Sequence, residues 1–373
     1  MFPALASRAP FSPPCGRLKI LVISLSGVGD TLIATPFLHE LRANLPDAQI
    51  DCFVLWKASA DLLEGNPHIN RVIQKNLIKE GSFKALRFVL GLRKEAYDAS
   101  INVHTQGRIH YRIVARLIDA TQRYSHAYEN HGGSDRLLVQ HQIPQDYSVH
   151  SIENNNRLLP LLGLKPKLKT HGYEIFLSEA EKMWAEHYVA EHRLKGSQVL
   201  GVHVGSGGTK NLALKRWPLE LYIGLFKQLS AKRPNLKILL FGGPEEQQAH
   251  QKIREAVPSE NILFPETPNL RQAGALIAKC SAFLSVDTAL MHLAAAVKVR
   301  KQIVIEAPTL NPTNIPPRGD TILVRNPAIA GRNLDFYRYD GGPIRGTDAE
   351  IRRLMESVTV DAVERAVLSA LSA

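Results

Sequence analysis

The chain has 373 residues, 46 of them basic and 35 acidic, which gives a formal net charge of +11. Hydrophobic residues make up 45% and charged residues 22% of the chain, which excludes a disordered or fibrous protein, and the length predicts two domains. The positive charge suits an anionic partner: nucleic acid, a phospholipid surface or a phosphorylated substrate. The three cysteines follow no ligand spacing, so neither a disulfide framework nor a structural zinc site is predicted.

The first 17 residues are rich in proline and small residues and lack the apolar core of a secretory signal, so we expect a disordered leader. Beyond them, short apolar runs alternate with helical patterns. In the first half we predict strands in LKILVISLS, AQIDCFVLW, INRVIQKN and DASINVH, and helices in TLIATPFLHELRANLP and FKALRFVLGLRKE.

The second half repeats this alternation, with predicted strands in VLGVHVGSG, LKILLFGG, AFLSVD and KQIVIEAP. Near-continuous apolar strands that alternate with helices indicate an α/β fold with parallel sheets covered on both faces. We therefore expect two Rossmann-like, doubly wound domains that face a central cleft. The first spans residues 18–170, a linker region spans 171–197, the second domain spans 198–345, and a C-terminal helix spans 346–373.

One apolar stretch, residues 281–299, approaches the length of a membrane span, but it contains Asp287 and His292. A carboxylate at the centre of a bilayer is costly, so we predict a buried strand, turn and helix there and no transmembrane segment.

The stretch ILVISLSGVGDTLIATP joins the first strand to the first helix through a turn that contains Gly27 and Gly29. A dinucleotide-binding turn would have a third glycine where Leu32 stands. Asp30 also disfavours a bound phosphate at this helix terminus. Locally, Asp30 is best explained as the N-cap of a helix that begins at Thr31, and the alternative is a general base.

The stretch SVDTALMHLAAA predicts a strand that ends at Asp287 and a helix that opens at Thr288. Free backbone N–H groups, a hydroxyl and the helix dipole together favour an anion. His292 follows one turn later on the face of Thr288, within reach of a diphosphate or a sugar. A capped core helix with a satisfied histidine is the alternative.

Two basic stretches are further candidates. HVGSGGTKNLALKRWP places Lys215 and Arg216 after a glycine-rich loop, which suits a phosphate clamp or a solvated basic loop, although its spacing is not that of a Walker motif. In GRIHYRIVARLIDATQR, Arg108, Arg112 and Arg116 recur every four residues and line one helical face. That face is solvated in the simpler interpretation, and in the functional one it binds an anionic lipid headgroup or a phosphorylated acceptor.

Other chemistries receive little support. The histidines between residues 104 and 150 form no i, i+4 pair beside a carboxylate, and D-x-D and G-x-S-x-G motifs are absent. We therefore predict neither a metal site nor a serine-hydrolase site.

Taken in order, SGVGDTLIATPFLHELRANLP, HTQG, KRWP, LLFGGPEE and SVDTALMHLAAA resemble glycosyltransferase family 9, the bacterial lipopolysaccharide heptosyltransferases, from about Lys19 to about Val324. The resemblance implies a GT-B fold with an N-terminal acceptor domain, a C-terminal nucleotide-sugar domain and a C-terminal helix that packs back towards the first domain. It also implies inverting transfer, without a metal or cofactor, from a nucleotide sugar such as ADP-heptose.

The resemblance also assigns roles to particular residues. Asp30 matches the proposed catalytic base, Lys215 the lysine on the donor phosphate, and Asp287 a ligand of the sugar hydroxyls. The remaining implied donor contacts are Ser206, Thr288, the backbone of Ala289, His292, and Glu246 or, as the alternative, Glu245. Ala289 departs from the glycine that the family usually carries, and the 308–345 region departs as well, which leaves the donor base and sugar open.

The expected partners are a nucleotide sugar and an anionic glycolipid acceptor, with Arg108, Arg112 and Arg116 as acceptor-binding candidates and no nucleic acid. We expect a cytoplasmic protein in peripheral contact with the inner membrane. A GT-B sugar-nucleotide epimerase or hydrolase, and a non-catalytic protein that binds a sugar nucleotide or a lipid headgroup, are the alternatives.

Overall fold

The structure is a computed structural model, and it describes residues 17–372 apart from 130, 131, 133, 134, 208–211, 310, 318 and 330–346. The predicted leader, residues 1–17, thus lies outside the described residues except for Arg17. The described residues form two compact units that divide between His171 and Gly172. This division falls at the start of the predicted linker, which itself contains a 13-residue helix in the second unit.

The first unit is built on a parallel six-stranded sheet in the order β3-β2-β1-β4-β5-β6. Its strands are β1 (Lys19–Ser24), β2 (Gln49–Val54), β3 (Arg71–Gln74), β4 (Ala99–Asn102), β5 (Gln122–Ala127) and β6 (His141–Pro144). The sequence predicted the first four strands but not β5 and β6, because their polar residues do not form the apolar run expected of a buried strand. The order reverses between β1 and β4, and such a switch point is where doubly wound sheets bind ligands.

Helices cover both faces of this sheet, and each face has its own apolar cluster. The helices are α1 (Val28–Asn44), α2 (Lys57–Leu63), α3 (Ser82–Gly91), α4 (Ile109–Ile118), α5 (Asp135–Leu138) and α6 (Ser151–Asn156). Phe37, Leu38 and Leu41 of α1 fill one cluster, and Val89 of α3 with Ala115 of α4 fill the other. Because β1 and β2 face helices on both sides, they are buried at almost every position, and four of the six residues in each are apolar.

The second unit has its own parallel six-stranded sheet, in the order β12-β11-β10-β7-β8-β9. Its strands are β7 (Val199–His203), β8 (Lys237–Phe241), β9 (Ile262–Leu263), β10 (Ala282–Ser285), β11 (Gln302–Ile305) and β12 (Thr321–Val324). Its helices are α7 (Glu179–Glu191), α8 (Leu219–Lys232), α9 (Gln247–Ala256), α10 (Leu270–Ile277), α11 (Ala289–Ala296), α12 (Asn311–Asn314), α13 (Asp348–Glu356) and α14 (Val360–Ser372). The order reverses between β7 and β10, so each unit has one switch point.

The C-terminal helices pack against the core of the second unit. Val363 and Val367 of α14 belong to the same apolar cluster as α8 and the strands β7, β8, β10 and β11. The buried indole of Trp217 donates to the carbonyl of Val358, between α13 and α14, at 2.8 Å. The apolar side of α14 is thus buried against the core of the second unit. The sequence pattern predicts that this side is buried but not which unit it packs against.

Among the residues that the structure describes, we find no helix that is long and apolar enough to cross a membrane.

Candidate active site

Most of the predicted donor residues follow the two strands that flank the switch point of the second sheet. β7 ends at His203 and leads into the loop of Ser206, while β10 ends two residues before Asp287. The two strands are hydrogen-bonded neighbours, so their carboxyl ends bring these loops together. Residues 72 and 85 positions apart in the chain therefore meet at one edge of the sheet.

Asp287 is the centre of a buried charged cluster. Its Oδ2 accepts a hydrogen bond from Lys215 Nζ at 3.0 Å, and its Oδ1 lies 3.7 Å from His292 Nε2. The three side chains are almost fully buried. Tyr173 stands edge-on to the His292 ring at a centroid distance of 5.4 Å, and His292 Nδ1 has no hydrogen-bond partner among the described residues.

The electrostatics of this cluster keep Asp287 ionised. Burial by itself would raise the pKa of Asp287, but the charge of Lys215 and the hydrogen bond from His292 outweigh it and hold the pKa well below its usual range. A carboxylate at the N-terminus of a helix would repel an anionic ligand. Lys215 neutralises that charge, so the site can still receive a phosphate.

Thr288 is the N-cap of α11, and its hydroxyl oxygen accepts from the N–H of Met291 at 3.2 Å. Its Oγ1 also lies 3.2 Å from Nδ1 of His203. Ala289 is the first residue of the helix, so its backbone N–H has no acceptor within the helix and is available to a ligand. The predicted anion site therefore rests on the backbone more than on the Thr288 hydroxyl.

A second group of side chains lies next to this cluster. Arg216 donates from Nε to Ser206 Oγ at 3.3 Å and from Nη2 to the carbonyl of Gly207 at 3.2 Å. Glu246 is buried, accepts from the N–H of Gly243 at 2.9 Å, and lies 3.9 Å from both Arg216 and His203. Glu245 is exposed. Glu246 is thus the acidic residue that joins the group.

Glycine at position 205 is required by this packing. A Cβ at Gly205 would collide with the Glu246 carboxylate and with Nε2 of His203. The glycine-rich loop after β7 therefore allows the Glu246 side chain to approach the backbone closely.

His203 is neutral in the folded protein because burial, together with His250 and Arg216, lowers its pKa to about 3. Burial likewise lowers the pKa of His126 to about 4, against the hydrogen bond to the carbonyl of Asn154. A histidine with a lowered pKa stabilises the fold above its unfolded pKa of about 6.5, and this contribution is lost as the pH falls towards the folded pKa.

We therefore expect the free energy of unfolding to fall by about 2 kcal/mol for each of these two histidines between about pH 7 and pH 5. Denaturant unfolding of the wild type and of His203→Asn at a series of pH values measures this. The variant should show the smaller dependence on pH, while His187→Asn, at an exposed position, should match the wild type. Equal slopes in all three proteins would contradict the neutral assignment.

Asp30 lies at the switch point of the first sheet, in the first turn of the helix that follows β1. The helix begins at Val28 and its N-cap is Gly27, so the predicted start at Thr31 and the predicted N-cap role of Asp30 are wrong. Asp30 is instead the third helical residue, and its Oδ2 accepts from the N–H of Gly27 at 2.8 Å. This is the acidic half of a capping box, and it fixes the carboxylate at the helix terminus.

The surroundings of Asp30 are polar and aromatic. Burial raises the pKa of the Tyr111 phenol and the nearby Asp30 charge adds to this, while a hydrogen bond with Ser26 lowers it. The indole of Trp56 donates to the carbonyl of Ser26 at 2.9 Å. Asp30 is partly exposed among these groups.

The three predicted acceptor arginines do not form one surface. Arg112 is 1% exposed, donating from Nε to Asp135 Oδ1 at 3.0 Å and from Nη1 to the carbonyl of Gly107 at 3.2 Å. Arg116 is exposed and paired with Asp119, and Arg108 is exposed at the N-cap of α4. Arg112 pairs with Asp135 of α5, a contact that the spacing of four residues along α4 does not specify.

Replacing Arg112 by methionine should lower the free energy of unfolding by about 3 kcal/mol, because the buried charge of Asp135 would lose the Arg112 cation. Arg116→Met, in an exposed pair, should change it by less than about 1 kcal/mol. Denaturant unfolding of both variants measures this. A stable Arg112→Met protein with a weakened acceptor affinity would restore the original interpretation of Arg112.

The profile of "Glycosyltransferase family 9 (heptosyltransferase)" matches residues 85–325, well over half of the chain. The chain belongs to glycosyltransferase family 9. It is 27% identical over 286 residues to lipopolysaccharide heptosyltransferase 3 of Escherichia coli K12, and the matched region covers 72% of this chain and 77% of that protein. It is 26% identical over 320 residues to lipooligosaccharide heptosyltransferase 2 of Haemophilus influenzae, and that match covers 81% of this chain and 87% of that protein.

The fold of this family 9 glycosyltransferase is similar to a solved structure of the E. coli ADP-heptose lipopolysaccharide heptosyltransferase II. The TM-score is 0.71 at 22% identity, with 95% of this chain and 99% of that chain covered. Its two parallel six-stranded sheets are those of the predicted GT-B class.

Two members of the cluster are not among the predicted donor residues. The sequence indicates only a basic loop at Arg216 and a strand at His203. A polar residue at the carboxyl end of an otherwise apolar strand, as His203 is in VLGVH, is the sequence signal that would have identified it.

Proposed function

We propose that this glycosyltransferase transfers a heptose from ADP-heptose to a lipopolysaccharide core-type acceptor, with inversion at the anomeric carbon and without a metal. The buried cluster of Lys215, Asp287 and His292 at the start of α11 is the observation that carries the proposal. It supplies one cation, one held carboxylate and free helix N–H groups, which suit a nucleotide sugar. The names of the relatives support the choice of heptose and acceptor.

The proposed reaction needs a base on the acceptor side. An acceptor hydroxyl attacks the anomeric carbon as the bond from that carbon to the diphosphate oxygen breaks, and its proton passes to Asp30. The capping contact with Gly27 holds the Asp30 carboxylate at the helix terminus, where it can receive the proton. Attack on the face opposite the leaving group inverts the anomeric centre.

The leaving diphosphate carries the charge that develops. In the proposal, Lys215 moves from its contact with Asp287 towards the phosphate, and the N–H of Ala289 with the dipole of α11 adds to its stabilisation. Asp287 then accepts from sugar hydroxyls, and Ser206, Thr288 and His292 line the diphosphate. Glu246 holds the ribose. In the proposal, Lys215 and the N-terminus of α11 stabilise the diphosphate in place of a metal.

The acceptor is proposed to be an anionic glycolipid reached from the cytoplasmic side. Arg108 is the arginine retained for this role, since it is exposed beside Tyr111 and Asp30. Arg116 is a secondary candidate because Asp119 already pairs with it.

A panel of nucleotide sugars tests the donor. ADP-heptose should raise the melting temperature by more than GDP-, UDP- or CMP-sugars, because a ligand that binds only the folded state stabilises it in proportion to its affinity. With a lipopolysaccharide-core acceptor present, ADP should be released in EDTA at the same rate as in Mg²⁺. Nuclear magnetic resonance of the product should show the inverted anomeric configuration.

Three outcomes would contradict the proposal. Conversion of the nucleotide sugar without an acceptor would indicate an epimerase or a hydrolase. Binding without ADP release for every acceptor would indicate a non-catalytic protein. Loss of transfer in EDTA, restored by a divalent ion, would end the metal-independent mechanism.

A further inference from the structure

The outer side of the first unit exposes an unusual amount of apolar surface. Phe83 is 78% exposed and Leu86 and Leu90 are also exposed, all on α3. Ile109 is 54% exposed and Ile113 is exposed, both on α4. We call these five side chains the α3–α4 outer face. Soluble monomers rarely expose large apolar side chains in such a group unless it serves as an interaction site.

Helix α3 is apolar on two opposite sides. Val89 and Phe88 point to the core, where they pack with the cluster beneath the sheet. At 100° for each residue, Phe83, Leu86 and Leu90 lie on the other side, away from that core. A helix of this composition is normally buried all round, and here one side is open.

The two helices present this surface together. Helices α3 and α4 pack against one another on the same face of the sheet, and residues of both enter the same core cluster. On α4, Ile109 and Ile113 lie opposite the buried Ala115 and Ile118. The exposed apolar groups thus lie on the outside of one helical layer, and Ile78, 70% exposed, adds to them just before α3.

Positive charge borders this apolar surface. The stretch from residue 75 to 94, KNLIKEGSFKALRFVLGLRK, contains six basic residues and one acidic residue. Lys79, Lys84, Arg87 and Lys94 are exposed and form no ion pair with any described residue. Lys84 and Arg87 line an open groove of about 480 Å³ together with Lys75 and Glu80, which form an ion pair with each other. Lys79, Lys84, Arg87 and Lys94 are therefore the cations available to an anionic partner.

We propose that the α3–α4 outer face is a membrane-docking surface that inserts its apolar side chains among the acyl chains of an anionic phospholipid bilayer. Exposed bulky residues that project from a helix layer, bordered by unpaired lysines and arginines, are the pattern of helices that lie in the membrane interface. Lipid phosphates would meet Lys79, Lys84, Arg87 and Lys94, whose aliphatic stems can extend along the apolar surface.

A second copy of the chain fits this surface less well than lipid. In a two-fold symmetric dimer the surface would meet itself, so these cations would face one another. Glu80, the one acidic residue in the stretch from 75 to 94, is already paired with Lys75, so the surface offers a partner mainly cations. Docking to a bilayer is separate from the proposed reaction and does not depend on the identity of the donor.

Vesicle flotation tests the proposal with the full-length protein. The wild type should bind vesicles of phosphatidylcholine with about 30 mol% phosphatidylglycerol more tightly than vesicles of phosphatidylcholine alone. Phe83→Ser/Leu90→Ser should weaken the binding about tenfold or more through lost insertion. Lys84→Glu/Arg87→Glu should weaken it at least as strongly through lost charge attraction.

Matched controls separate the surface from the general positive charge. Met183→Ser removes an exposed apolar side chain from α7, and Lys227→Glu/Lys252→Glu makes the same charge change on the second unit. Both controls should bind vesicles as the wild type does. If the charge control loses as much binding as Lys84→Glu/Arg87→Glu, attraction is unspecific and the proposal fails.

Insertion is measured independently with a tryptophan at position 83. Phe83→Trp should gain fluorescence that lipids with brominated acyl chains quench, whereas Met183→Trp should gain fluorescence that they do not quench. Equal quenching at the two positions would contradict insertion.

Solution mass and donor binding distinguish the remaining outcomes. Wild type and Phe83→Ser/Leu90→Ser should have the same mass by light scattering, and a dimer that dissociates in the variant would assign the surface to a second copy instead. ADP-heptose should raise the melting temperature of both equally. Absence of that shift in both would count against the proposed donor while leaving the vesicle result valid.

Discussion

Asp30→Asn should lower kcat by about 10²–10⁴-fold, the range expected when a general base is removed. The asparagine oxygen can still accept from the N–H of Gly27, so the helix terminus should keep its structure. The amide cannot take a proton from the acceptor hydroxyl. Initial rates of ADP release with acceptor present measure the loss, and the thermal shift with ADP-heptose should be unchanged.

Glu350→Gln is the matched control for this variant. Glu350 is the same third residue of a capping box, at the start of α13, where its carboxylate accepts from the N–H of Thr347. The control should show a loss of stability similar to that of Asp30→Asn, of about 1 kcal/mol or less, with full activity. Full turnover by Asp30→Asn would eliminate Asp30 as the base and leave it a helix-capping residue.

Lys215→Met should lower the free energy of unfolding by about 3–5 kcal/mol at neutral pH, because Asp287 would be left buried without its cation. It should also abolish the thermal shift caused by ADP-heptose. The folded pKa of Asp287 is lowered in the wild type, so the stabilisation from this pair is present above the unfolded pKa of about 3.9 and is lost as the pH falls through the folded pKa. The difference between wild type and variant should therefore shrink below about pH 4. Denaturant unfolding at several pH values measures the loss of stability at neutral pH and its decrease at low pH.

A double variant separates the structural role of Lys215 from donor binding. Lys215→Met/Asp287→Asn carries no uncompensated charge, so it should recover much of the stability lost by Lys215→Met. It should still fail to bind ADP-heptose, because the cation for the phosphate is missing. Recovery of donor binding in the double variant would show that Lys215 acts only as the partner of Asp287.

Strong local patterns made several elements of this chain predictable. The apolar runs of β1, β7 and β10 are buried on both faces, so their composition alone marks them as central strands. The edge strand β6 has polar residues, and β9 has two residues, so neither carries such a signal. Tertiary pairing, which the local sequence does not contain, decides those elements.

Contacts between distant residues decided the roles of the charged side chains. Arg112 and Arg116 have the same local pattern, yet the first is buried against Asp135 and the second is exposed. Helical spacing predicts an angle around the helix axis but not what packs there. For the same reason the sequence did not predict that Ile109 and Phe83 would remain exposed.

The sequence by itself determined the alternation of strands and helices, the family resemblance, and the residue types at the turns after β1 and β10, because these depend on local composition and order. The tertiary structure alone decided that Asp287 meets Lys215 and His203 meets Thr288, pairs separated by 72 and 85 positions in the chain. Parallel pairing of β7 with β10 brings those side chains together. Because the side chains are buried, each polar group needs its partner to offset the loss of contact with water. The turn SGVGD shows the division most clearly. The composition of this turn identified Asp30 as a candidate. Only the folded helix showed that Asp30 is its third residue and that the Asp30 carboxylate accepts a hydrogen bond from the N–H of Gly27.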